Sequence, residues 1–270
     1  MIMKKTLVLF IGIFSVLLLA GCAQQGTIDI PDTGTSSQGN AAFTITDAAA
    51  DMGAVSSVDV TIDNIEVHSE AEGWTTVATD VGTYDLLELK AEGTQRLMGN
   101  VSLEEGNYQQ IRLDISSVMV TDDDGTHEAR LPSGEMRMNV QMRVNANTTS
   151  IVTLDFQADE SLHVTGNGQY IMAPVIQVQT RENAQVQVDA SNRVQVMGGN
   201  IQTDVKVGMN ENGTVGVGVK IPANANVSVD AGGAINVGLG GNAGANIGSG
   251  TDSGVNTNVS GNAAVGARLN

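Results

Sequence analysis

Apolar and polar residues alternate with a period of two through most of residues 41–182. That is the spacing of strands with one face in a core and the other in water. Val58, Val60 and Ile62 alternate in this way, as do Ile111, Leu113 and Ile115, then Met136, Met138, Val140, Met142 and Val144, then Val152, Leu154 and Phe156. Val175, Ile176 and Val178 follow Pro174, which suits a strand start or an edge. Two runs slip phase. Val60 and Ile62 lie on one parity and Ile65 and Val67 on the other; Leu113 and Ile115 are followed out of phase by Val118 and Val120. Bulges near Asp63-Asn64 and Ser116-Ser117 would keep both halves of each strand facing inward. The best helical candidate, Asp85 to Lys90, is short. Turn residues fall between the runs at Glu72-Gly73, Glu105-Gly106-Asn107, Asp124-Gly125, Ser133-Gly134 and Gly166-Asn167-Gly168. The pattern predicts an all-β fold, an antiparallel β-sandwich.

Composition divides the chain into zones. Residues 23–40 are polar, with Gly, Ser and Thr, and read as a flexible tether. Residues 41–182 carry 7 basic and 23 acidic groups and every aromatic side chain beyond Cys22. Residues 183–270 hold 17 Gly, 14 Asn and 15 Val and no aromatic, a low-complexity tail. Alternation persists in the tail to residue 239, with "MNENGT" and "DAGGA" placed as hairpin turns. A layer without aromatics buries little area, so it needs to dock on the core domain, stack on itself or pair with another chain. Beyond residue 240 the alternation fades, and disorder is expected. The expected organisation is a leader over 1–21, a lipidated tether over 22–40, a β-sandwich over 41–182, Val-alternating hairpins over 183–239 and a disordered end over 240–270.

The N-terminus changes the picture most. Lys4 and Lys5 precede an apolar run, Thr6 to Ala20, that is short for a membrane span. It ends on Leu19-Ala20-Gly21-Cys22, and Cys22 is the only cysteine. The tetrapeptide resembles the lipobox of prokaryotic lipoproteins. That resemblance implies cleavage before Cys22, a covalent lipid on its sulfur, and anchoring to the outer face of a membrane. A lipidated Cys22 leaves no thiol for a disulfide, a nucleophile or a metal site. Without Lys4 and Lys5, 11 basic residues face 30 acids, a formal −19. Such a balance argues against a nucleic-acid partner.

The strings "FTITDAAADMGAVSSVDVTIDNIEVH", "GWTTV", "YDLLELK", "GNYQQIRLDISSVMVTDDDGTHEARLPSGE" and "VTLDFQADESLHVTGNGQYIMAPVIQVQ" resemble the domain of unknown function 4382 family over about residues 42–180. The family often reads Pro where this chain has Ala49. The resemblance implies a transthyretin-like or immunoglobulin-like sandwich at the cell surface, behind a lipobox. It carries no assigned activity and no catalytic residues.

Candidate chemistry is sparse. Asp122-Asp123-Asp124-Gly125 reads as a hairpin turn. It also offers a weak Ca²⁺ site through Asp122 and Asp124, completed by Glu128 or Asp114 only if the fold brings them near, although Ca²⁺ needs six to eight oxygens. His68, His127 and His163 lack zinc-site spacing. Met136, Met138 and Met142 share a strand face, where core packing competes with Cu(I) binding. Trp74 and Tyr84 suit either a core or a sugar platform. Five Asn-x-Ser/Thr sequons, at Asn100, Asn147, Asn212, Asn226 and Asn258, are glycan acceptors if the source is an archaeon that glycosylates its surface. No Gly-x-Ser-x-Gly or phosphate loop is present. The expectation is a non-catalytic binding or structural module of the cell envelope, anchored by lipid, with an envelope protein or glycan as partner. A calcium-dependent carbohydrate-binding module is the alternative, and an envelope hydrolase the third reading.

Overall fold

The computed structural model describes residues 37–48, 51–222 and 225–239. The expected leader, Cys22, the tether up to residue 36 and the expected disordered end lie outside the described residues. In chain order the elements are β1 (Gln38–Asp47), β2 (Ser57–Ser69), β3 (Gly73–Asp85), α1 (Leu86–Glu92), β4 (Gln95–Glu104), β5 (Gly106–Asp122), β6 (Gly125–Glu128), β7 (Glu135–Val144) and β8 (Thr149–Phe156). They continue with α2 (Ala158–Ser161), β9 (Leu162–Val164), β10 (Tyr170–Met172), β11 (Val175–Val188), β12 (Arg193–Met209), β13 (Val215–Val217), β14 (Ala225–Val229) and β15 (Ile235–Leu239).

The fold is mostly β, in several sheets. The first large sheet runs β11-β8-β1-β4-β12-β13, and β11 also pairs with β12, so five of its strands form a closed circuit. The second runs β3-β2-β5, with β7 and β6 one after the other along the far edge of β5. Phe43, Ile45, Leu154 and Phe156 from the first sheet share one buried cluster with Val60, Ile65, Leu113 and Val120 from the second. Removing these side chains from water is the main stabilising term available to a chain whose only cysteine is Cys22.

One expectation needs correction. The pairing is not wholly antiparallel, because β1 runs parallel to β8. Alternation reads the same for either direction, so it carried no information on this point. β1 is also covered on both faces: Ala41, Phe43 and Ile45 enter the main core, and Ala42 joins Ile151, Ala184 and Val194 in a smaller cluster.

Both phase slips are bulges, and they meet. The register passes from Thr61↔Ser117 to Ile62↔Ile115 and then to Asn64↔Asp114, which leaves Ser116 and Asp63 without register partners. Ser116 Oγ donates to Asp63 Oδ1 at 2.7 Å, so the two extra residues fasten to each other on the outer face. Ile62, Ile65, Ile115 and Val118 all stay buried as a result. The short helix is capped by Asp85, whose Oδ1 accepts from Leu87 N–H at 3.0 Å and from Val58 N–H at 3.2 Å.

The composition boundary at residue 182 falls inside β11, and β1 starts at Gln38, within the expected tether. β12 pairs with β11 along its length, and β13 returns against it with Val207 opposite Val217. The β14–β15 hairpin pairs Val229 with Ile235 and packs Val227 and Ile235 against Ile171, Ala173 and Ile221. Lys206 and Lys220 both donate to Glu160 of α2, each at 2.6 Å. The described tail therefore docks on the body of the protein.

Candidate functional site

The acidic turn is the densest polar junction that the sequence points to. Asp122 and Gly125 are the last register pair between β5 and β6, with Asp123 and Asp124 between them. Gly125 has φ 129, a conformation that residues with a Cβ rarely adopt. Asp122 Oδ1 accepts from the N–H groups of Asp124 at 2.9 Å and Gly125 at 3.1 Å, and His127 Nε2 lies 3.2 Å from the same oxygen. Asp122 Oδ2 accepts from the Tyr170 hydroxyl at 2.6 Å. The carboxylate thus closes its own turn and ties it to β10.

Electrostatics follow from these contacts. The Tyr170 hydroxyl, then the Asp124 N–H and His127, hold the Asp122 carboxyl below its ordinary value of 3.8. The same bond pushes the Tyr170 phenol up to about 12. The His127 and Tyr170 rings lie 5.9 Å apart. Beside them His127, Glu128, Arg130, Gln169, Tyr170 and Val229 line a cavity of about 290 Å³, walled partly by the β14–β15 hairpin.

Asp122, Asp124 and Glu128 are not brought together as a ligand set. Among the described residues no three His, Cys, Asp or Glu side chains converge in a manner that could hold a metal ion. Both oxygens of Asp122 are engaged by protein donors instead. Tyr170, 48 residues away, is the partner that sequence reasoning missed. Nothing in the local pattern marks it, because its register is set by β9 and by the backbone bonds joining Arg130 to Tyr170 and Met172.

The other candidates sit apart. Met136, Met138 and Met142 are buried in the main core. His68, His127 and His163 lie on β2, β6 and β9. Burial holds the His163 imidazole below its ordinary value of 6.5. Trp74 is half-buried and pairs with His68, its ring 5.0 Å from the imidazole. The Arg112 guanidinium stacks 4.0 Å from the indole centroid and is itself bonded to Glu66 at 2.6 Å. That stacking takes up indole surface a sugar ring would need. Tyr84 turns its hydroxyl to the carbonyls of Val81 and Leu97. Asn100, Asn147, Asn212 and Asn226 are exposed, and Asn258 lies outside the described residues.

Comparison with family profiles matches residues 38–174 to a domain of unknown function, DUF4382. Neither the curated proteins nor the solved structures include a match to the chain. The matched stretch takes in β1 to β10, and so the whole of the second sheet and the Asp122–Tyr170 junction. Since it spans half of the 270 residues, the chain belongs to the DUF4382 family of domains of unknown function.

Proposed function

We propose that the protein is a lipid-anchored, non-catalytic binding or structural module of the cell envelope, held at the outer face of a membrane through Cys22. The observation that carries this reading is Leu19-Ala20-Gly21-Cys22 behind a dibasic start and a short apolar run. The first described strand begins at Gln38, and the sequence between it and Cys22 is rich in polar residues. The acidic turn supports the non-catalytic part, because its central carboxylate is spent on closing a hairpin and holding Tyr170. That engagement also weighs against the calcium-dependent carbohydrate-binding and hydrolase readings. Two large sheets sharing one core support a sandwich of the transthyretin-like or immunoglobulin-like kind. The exposure of Asn100, Asn147, Asn212 and Asn226 supports them as glycan acceptors if the source glycosylates its surface.

The test is detergent phase partition of the chain expressed in a host that processes lipoproteins. The anchored chain enters the detergent phase, and Cys22→Ser abolishes its processing. A processed chain that stays in the aqueous phase with a free Cys22 thiol overturns the reading.

A further inference from the structure

The β11–β12 hairpin has two halves that do different things. Up to Thr180 and from Thr203 onward it belongs to the first sheet, and the Thr180 and Thr203 hydroxyls bond the backbone of Gln141. Beyond that level it bends sharply. The register slips once, from Thr180↔Thr203 to Arg181↔Ile201, which leaves Gln202 as an extra residue, and two pairs further on Asn183 and Gly199 face each other between Glu182↔Asn200 and Ala184↔Gly198. Asn183 (φ 53), Gly198 (φ 65) and Gly199 (φ 78) are all left-handed at this one level. A Cβ on Gly199 would lie 2.8 Å from the Glu182 carbonyl oxygen. This kink lets residues 184–198 fold back as an arm over the outer face of the sheet.

The arm is lightly held. Its inner face packs Ala184 and Val194, with Val186 and Val196, on Ala42, Ile151 and Leu97, a cluster separate from the main core. Its tip meets β4 through two register pairs, Arg193↔Arg96 and Val194↔Gln95. Leu97 N–H donates to Asn192 C=O at 2.9 Å, which makes Arg96 and Arg193 a non-hydrogen-bonded pair with their side chains adjacent. Like charges directly opposed weaken a pairing; each arginine leans on its own acid, Arg96 on Glu92 at 2.9 Å and Arg193 on Asp189 at 3.1 Å, and Arg96 Nη1 also donates to the Ser191 carbonyl of the tip at 2.9 Å. Five large apolar side chains are exposed among the described residues, and Val188, Met197 and Ile201 all lie on this hairpin.

We propose that this arm is exchanged between two copies of the chain, the arm of each seating on Ala42, Leu97 and Ile151 of the other. The surface that fits the arm's inner face is the one it covers here, so a second copy supplies an identical seat and an identical β4 edge. Exchange keeps every latch contact and changes only the kink, at the three residues already in left-handed conformations. Swapping a hinged element is a low-cost route to a dimer.

The experiment uses two differently tagged full-length copies co-expressed in one host, one carrying Arg96→Cys and the other Arg193→Cys. These positions stand about 4.5 Å apart at Cα in a pair of this type, within disulfide reach. With Cys22 lipidated, the engineered thiols are the only free ones. Exchange predicts a disulfide-linked heterodimer on a non-reducing gel. A chain carrying both changes that closes only on itself, with no cross-linked heterodimer, overturns the proposal. If neither disulfide forms, the mass of the solubilised chain decides. A one-chain mass at every concentration overturns exchange. A two-chain mass that falls to one when residues 184–197 are replaced by a short turn supports it.

Discussion

The bond between Asp122 and Tyr170 is the clearest single-residue device in the protein, and its pH range follows from the two shifts. The Asp122 carboxyl is depressed in the folded state, so its contribution is whole above about pH 3.8 and fades as pH falls through the lower folded value. The Tyr170 phenol is raised, so its contribution is whole below about pH 10 and is lost as pH rises through about 12. Ultraviolet titration is expected to show a tyrosine ionising near 12, and Asp122→Asn to bring that one back toward 10.0. An unchanged titration would mean the bond does not form. Sequence alone shows Asp122 in a turn and nothing of Tyr170. Turn chemistry is local, whereas a hydrogen bond across 48 residues is made by packing. Trp74 is a similar case: its type suits a core or a sugar platform, and only the neighbouring strands reveal Arg112 over its face. The methionines are simpler. Met138 is fully buried, and Met138→Ala is expected to cost about 2–5 kcal/mol in chemical denaturation.

At the scale of elements, alternation revealed most strands and both bulges, because a buried face leaves its parity in the sequence, whereas the helix was legible only as a short candidate and its Asp85 cap came from the structure. It did not reveal strand direction, since β1 beside β8 looks the same parallel or antiparallel. It also did not reveal that β11 crosses residue 182, because the change in composition there reflects an arm leaving the core rather than a domain ending. Backbone demands at the kink give a sharp comparison. Gly199→Ala places a Cβ against the Glu182 carbonyl at φ 78 and is expected to cost about 1–2 kcal/mol from its left-handed conformation alone. Gly106→Ala meets open space at an ordinary φ and is expected to change stability by well under that amount. Thermal melts of the two variants compare them directly, and equal losses would contradict the kink geometry.

At the scale of the whole molecule, the family match ends at residue 174, yet the first sheet is completed by β11 and β12 beyond it. Val178, Val207 and Met209 of those strands are buried in the main core. A chain stopped at residue 182 loses β12 and is expected to lack a cooperative melt, while one stopped at residue 239 keeps it. Cooperative unfolding of the shorter chain would show the tail to be an addition rather than part of the body. The proposed anchor lies at Cys22, on the N-terminal side of every described strand. The most direct test of that account is the mass of the N-terminal peptide from the membrane-extracted protein. A peptide beginning at Cys22 and carrying a diacylglyceryl group on its sulfur is the expected result. A peptide that begins elsewhere, or that carries Cys22 unmodified, would contradict it.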